Sequence, residues 1–258
     1  MMRVNRLRAF AGCAVLLAAA CGSQKEAAPA GPPANAKVVD QAKAGRVSGR
    51  VTIEGTVPQN PPVKMGGDPY CAEQNPGGAT FENYVVDNGG LENVFVFVTD
   101  KLDYYFEVPT ARVTLDQKGC HYSPHVVGVR TGQTLVVTNS DDTMHNVHAV
   151  PTANSEWTKS QALKNMADEK VFTAREVMVP FKCDVHNWMH AYVGVMEHPY
   201  FAVTRDGGKF ELANLPAGTY TVEAWHEKLG TQTQSVTIGE KESKEITFSF
   251  KAPAAATN

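Results

Sequence analysis

The feature that most constrains this chain is a two-residue period. From Gly45 onward, polar and apolar side chains alternate in Gly45-Arg-Val-Ser-Gly-Arg-Val-Thr-Ile53, Leu135-Val-Val-Thr138, Glu176-Val-Met-Val179 and Phe210-Glu-Leu212, with turn signals recurring between them. Such alternation puts one face of an extended segment on a core and the other in water, so the chain is expected to be all-β. The run Val94-Phe-Val-Phe-Val98 is apolar throughout and suits a strand covered on both faces. One short helix is expected, around Ser160 to Asp168. With 43% hydrophobic residues among 258, the chain can build a real core, which excludes a disordered or collagen-like protein.

Ahead of the strands, Arg3, Arg6 and Arg8 precede a run from Ala9 to Ala20 that is mostly Ala, Leu and Val. That run is too short to cross a bilayer, which takes about 20 residues. A basic start, a short apolar segment and small residues before a cleavage point make an export signal over 1–20. The junction Leu16-Leu-Ala-Ala-Ala-Cys21-Gly22 resembles a bacterial lipoprotein signal. That resemblance implies a lipid on Cys21, membrane attachment through this lipid only, and a place on the periplasmic side of the cell envelope, at the outer membrane in a Gram-negative cell. Residues 21–44, rich in Ala, Pro, Gly, Lys and Gln, read as a disordered tether, and 251–258 as a disordered tail. Acids outnumber bases 27 to 24, so no basic surface is available to neutralise a phosphate backbone, and nucleic acid is excluded as a partner.

Cys183-Asp-Val-His186-Asn-Trp-Met189 holds the strongest chemical signal. Val177, Val179, Phe181 and Cys183 are expected to share one face of the preceding strand, so the thiol ends that strand facing the core. The next strand begins at Tyr192, which leaves His186 and Met189 on a tight loop beside the thiol. Upstream, the segment Thr134 to His148 places His145 just past an Asn-Ser-Asp-Asp turn. A thiolate, two imidazoles and a long axial thioether make a blue, type 1 copper site, whose rigid compromise geometry suits both Cu(II) and Cu(I). Zinc fits less well because its structural sites rarely use Met, and c-type haem is excluded by the lack of Cys-x-x-Cys-His. A dinuclear copper centre needs two bridging cysteines, and this loop has one.

These residues resemble the cupredoxins, the blue copper domains of plastocyanin and amicyanin type. The resemblance implies a Greek-key β-barrel or sandwich over 108–197, with one copper ion held by His145, Cys183, His186 and Met189. It implies single-electron exchange with redox proteins, a cytochrome or dehydrogenase, rather than catalysis. Asn146 is expected to tie the two ligand loops together and Trp188 to pack over the loop or dock a partner, with His186 as the surface exit for electrons. Met144, Asn187 and His190 depart from the amicyanin pattern. The copper reading of Cys183 further implies that Cys71 and Cys120 pair as a disulfide in an oxidising compartment. One alternative is a copper-dependent reductase or oxidase, drawing a second metal from His121, His125, His148, His190 and His198. Another is a copper-binding or delivery module. His226 is expected to be structural.

The stretch Thr204-Arg-Asp-Gly-Gly-Lys-Phe-Glu-Leu-Ala-Asn-Leu-Pro-Ala-Gly-Thr-Tyr-Thr-Val222 is a hairpin punctuated by Asp-Gly and Pro-x-Gly. It resembles the carboxypeptidase regulatory-like, transthyretin-like β-sandwich. That family's opening Gly-x-Val-x-Gly-x-Val strand stands far upstream here, at Gly45 to Val51, and its following apolar strand at Leu91 to Val98. The resemblance implies a sandwich split into 45–107 and 198–250 by the inserted copper domain.

Overall fold

The structure, a computed structural model, describes residues 31–254; the stretch 1–20 read as an export signal, Cys21 and the last four residues, 255–258, lie outside that range. Nearly everything described is strand, arranged in four open sheets, with one helix, Pro69–Gln74, among the described residues. The first sheet runs Lys209–Leu215, Gly45–Glu54, Gly90–Leu91, Val86–Asp87, with Ser243–Lys251 parallel to Gly45–Glu54. The second runs Phe201–Val203, Phe95–Val98, Gly218–His226, Gly230–Ile238. The third runs Trp157–Gln161, His145–Ala149, Glu176–Lys182, His190–Met196, Val126–Arg130. The fourth runs Ala167–Val171, Thr134–Asn139, Val113–Lys118, His121–Ser123.

Three apolar clusters join these sheets as successive layers. Val47, Val51, Val96, Val98, Val222 and Phe248 belong to the cluster between the first and second sheets. Leu115, Leu135, Val137, Val147, Phe181 and Val193 belong to the one between the third and fourth. A smaller cluster of Phe95, Phe97, Val126, Met178 and Met196 seals the second sheet to the third. The strand Phe95–Val98 is therefore buried at every position because its valines face one core and its phenylalanines the other. Its pairing partners are Phe201–Val203 and Gly218–His226, more than 100 positions downstream. Two glycines make this closeness possible. Gly128 and Gly194 are register partners in the third sheet, and a Cβ on Gly194 would lie 2.4 Å from the ring of Phe95.

Two local expectations fail for visible reasons. No helix forms around Ser160 to Asp168; Trp157–Gln161 and Ala167–Val171 are strands on different sheets. The buried Gln161 amide donates to the Val137 carbonyl and Asn139 donates to the Gln161 carbonyl, which ties this crossing to the neighbouring strand. In Glu176–Lys182 the register slips between Glu176 and Val179, with Met178 at φ 61°. A bulge of this kind turns side chains to the other face. Val177 and Met178 accordingly join the junction cluster, while Val179, Phe181 and Cys183 stay in the inner core.

Within the stretch read as a tether, Lys37 and Lys43 make contacts with the first two sheets' surroundings. The Lys37 ammonium lies 4.2 Å from the Tyr104 ring centroid, and Lys43 pairs with Glu240 at 3.1 Å. Residues 63–79 pack into the inner core of the third and fourth sheets, through Met65 and Cys71 with Val63, Tyr70 and Ala79 beside them.

Candidate metal centre

Three chain segments reach one end of the third sheet. His145 opens its strand, Cys183 follows the neighbouring strand, and Met189 immediately precedes the next. Within the loop, the Cys183 N–H donates to the Met189 carbonyl at 3.1 Å and the Met189 N–H to the His186 carbonyl at 2.9 Å. The Cys183 sulfur accepts from the amides of His186 at 3.4 Å and Asn146 at 3.5 Å. His186 Nδ1 stands 3.9 Å from that sulfur, and the Nδ1 atoms of His145 and His186 face each other at 2.9 Å. His145, Cys183 and His186 are 0%, 2% and 3% exposed. Met189 is equally buried, in the same cluster as Cys183, whereas Met196 faces the junction instead.

The outer nitrogens decide what this cluster can bind. His145 Nε2 lies 2.9 Å from Asp141 Oδ2, and His186 Nε2 lies 2.9 Å from Asp68 Oδ2. Burial opposes ionisation of both acids, but these histidines, aided by the Cys120 and Gly119 amides at Asp141 and the Cys71 amide at Asp68, hold both carboxyls below their ordinary range. A carboxylate only accepts, so each Nε2 carries a proton, and each neutral ring then turns an Nδ1 lone pair inward. Two lone pairs at this separation repel unless a proton or a cation lies between them. Burial raises the Cys183 thiol, yet hydrogen bonds with His145 and His186 and from the Asn146 and His186 amides bring it down to about 6. Burial lowers His145, and Asp141 followed by Cys183 overcomes this and pushes it up to about 8. Carboxylate-oriented imidazoles beside a stabilised thiolate are the environment of a metal-binding sulfur. The donor set therefore fits a soft, thiolate-accepting copper ion.

The sequence did not reveal the cover over this site. Asp68 caps the helix Pro69–Gln74, its Oδ1 accepting from the Cys71 amide at 3.2 Å. Its Oδ2 meets His186 and accepts from the Thr143 hydroxyl at 3.0 Å. Cys71 is disulfide-bonded to Cys120, and its sulfur lies 3.8 Å from His186 Nε2. Asp141 accepts from the amides of Gly119 and Cys120, both at 2.7 Å, and from the Tyr70 hydroxyl at 3.3 Å. His186 is thus covered by the Asp68 strap and the disulfide, which corrects its expected role as an exposed exit. Trp188 is half-buried; its indole N–H donates to the Cys120 carbonyl at 3.0 Å and its ring lies 5.0 Å from that of His186. Asn146 bridges the ligand loops, donating to the Asp184 carboxylate at 2.9 Å and accepting from the Asp184 amide.

The other histidines separate. His148 lies between Glu156 and Asp184, and His198 packs against Phe106 and Tyr200. His226 is buried against Tyr84 and Phe250. His121 and His125 line a shared cleft, while His125 and His190 converge on Glu227, a residue the sequence did not single out.

No protein-family model matches the chain, and no curated protein matches it. Among solved structures, 34% of the chain is similar to a mutant of amicyanin in its reduced Cu(I) form, with 25% identity, 86% of that chain covered and a TM-score of 0.30. Over 39% of its length it is similar to a Cu-containing nitrite reductase from Thermus scotoductus SA-01, with 17% identity, 25% of that chain covered and a TM-score of 0.32. Over 33% it is similar to a purple cupredoxin from Nitrosopumilus maritimus, with 20% identity, 98% of that chain covered and a TM-score of 0.28.

Proposed function

We propose that this chain is a type 1 copper protein that passes single electrons. The observation that supports this reading most is the buried convergence of His145, Cys183 and His186, with both outer imidazole nitrogens committed to carboxylates. These three would hold the metal in a trigonal set and Met189 would supply the axial thioether. When bound there, copper supplies a Cu(II)/Cu(I) couple. The chain itself contributes rigidity: backbone hydrogen bonds close the loop, Asn146 joins it to the His145 strand, and the strap restrains His186. Donors held in place by neighbours leave little to reorganise when one electron arrives.

Burial also favours a carrier over a delivery module. Metal hand-over needs ligands that a partner can reach, and the three donors are at most 3% exposed beneath a disulfide-tied strap. The setting we infer is the periplasmic side of a bacterial envelope, with lipid on Cys21 and a cytochrome or dehydrogenase as the exchanging partner.

The test is the absorption spectrum of the copper-loaded protein. An intense visible thiolate-to-copper band is expected, and Cys183→Ser should abolish it while leaving the fold intact. Met189→Leu should keep the copper and raise its potential, because losing an axial donor disfavours Cu(II). A colourless wild-type copper complex, or a blue Cys183→Ser protein, overturns the assignment.

A further inference from the structure

His125, His190 and Glu227 bring one donor atom each to within 4.8 Å of the others, at the junction between the second and third sheets. His125 precedes the strand Val126–Arg130, His190 opens His190–Met196, and Glu227 follows Gly218–His226. Glu227 and the two histidines thus come from opposite sides of that junction. His125 Nε2 lies 2.7 Å from one carboxylate oxygen, and His190 Nε2 lies 3.8 Å from the other.

What sets this group apart from a structural ion pair is the orientation of His190. Its Nδ1 lies 3.0 Å from the Trp188 carbonyl, an obligate acceptor, so Nδ1 carries a proton and Nε2 is the nitrogen directed at Glu227. That Nε2 atom is buried and has no hydrogen-bond partner. It faces the Glu227 carboxylate at 3.8 Å, beyond hydrogen-bond reach and with space for a bridging ion. The second nitrogen of His125 likewise faces the Glu82 carboxylate, at 3.5 Å. Each imidazole therefore has one nitrogen directed at a carbonyl or carboxylate and the other turned toward Glu227, the pattern by which outer groups orient metal-binding histidines. The Tyr192 hydroxyl holds Glu227 from a third side, at 3.2 Å.

We propose that His125, His190 and Glu227 form a second metal site, for a borderline divalent cation such as Zn(II) or Cu(II). Two imidazoles and one carboxylate match the preferences of these ions, whereas Mg(II) and Ca(II) take oxygen-rich sets. The Lys228 ammonium, 38% exposed, lies 3.3 Å from the Glu227 oxygen that faces His190 and competes with a cation for that carboxylate. His125 lines an open cleft of about 570 Å³ on one side of the group. With His190 it also borders a small cavity of about 10 Å³, close to the space of one water molecule. The site does not depend on the copper reading, since none of its three residues belongs to the Cys183 cluster.

Calorimetric titration of the metal-free full chain with Zn(II) tests the proposal, in the wild type and in Cys183→Ser. One binding event common to both proteins is expected. It should weaken at least tenfold in His125→Ala and in the near-isosteric Glu227→Gln, with circular dichroism confirming the fold of each. Lys228→Gln should tighten it, because it removes the competing ammonium; an ion pair of purely structural role would leave Zn(II) affinity unmoved. The proposal is overturned by no binding event in Cys183→Ser, by an event of equal affinity in Glu227→Gln, or by Lys228→Gln binding no more tightly than wild type.

Discussion

Replacing Cys71 and Cys120 together by serine isolates what the disulfide contributes to the covered site. The bond joins residues 49 positions apart, and the chain-entropy relation for a loop of that size gives a loss of about 4 kcal/mol on removing it. Both sulfurs are fully buried, beside His186 and the amides that serve Asp141, so the serine hydroxyls add no compensating hydration. The strap's other attachments are the Asp68 contacts with His186 and Thr143, the Tyr70 hydrogen bond to Asp141, the Asn75 amide donating to the Gly119 carbonyl, and the packing of Met65, Val63 and Ala79 on the inner core. A hydrogen bond to a charged group is worth about 1.5–3 kcal/mol, so these attachments keep the strap in place without the disulfide but let it open more readily. Urea denaturation of the metal-free protein should show the loss, and hydrogen exchange should show faster opening of residues 63–79 than of the strands. Opening the strap also admits water to His186, which should lower the copper potential, because water stabilises the more highly charged Cu(II) state. A stability loss below about 1 kcal/mol, with exchange at 63–79 unchanged, would refute the reasoning and leave packing alone holding the strap.

Gly194→Ala places a methyl group 2.4 Å from Phe95 Cζ and 2.7 Å from Met178 Cε, and overpacking of this kind costs about 1–3 kcal/mol. A lowered melting temperature is expected, and an unchanged one would mean that Phe95 gives way freely. Burial, followed by Arg130 and Arg175, lowers His198 to about 4, and burial lowers His226 to about 4, while each accepts a backbone N–H at Nδ1, from Tyr200 and Lys228 respectively. Folded-state values below the ordinary 6.5 mean that the unfolded chain binds more protons, so this contribution is complete above pH 6.5 and lost as pH falls toward 4. His198→Gln should flatten the fall in stability across that window; an equal slope in variant and wild type would remove His198 from the account.

How far the sequence reveals this molecule depends on the distance over which its constraints act. The Cys183 loop was legible because its donors lie within seven residues and its flanking strands alternate, so the positions of Cys183, His186 and Met189 follow from local geometry. Val94 to Val98 announced two cores because every side chain there is apolar. The bulge at Met178 was not legible, since nothing in Glu176-Val-Met-Val179 distinguishes a slipped register from a regular one. The carboxylates divide in the same way. Asp141 stands four residues before His145, inside a turn that was visible, but Asp68 is 118 positions from His186 and Glu227 is 102 from His125. Those two are placed by pairing between segments distant in sequence, where a single aspartate or glutamate has no local mark. The junction has a direct bearing here. Phe95 rests on Gly194, four residues beyond His190 on the same strand, and its own strand pairs with Gly218–His226, which ends beside Glu227. Phe95 is the register partner of Trp225, two residues before Glu227, so the strand that carries Glu227 and the strand that carries His190 meet across the seating of Phe95 on the two glycines, and the packing of an apolar strand bears on the polar group beside it.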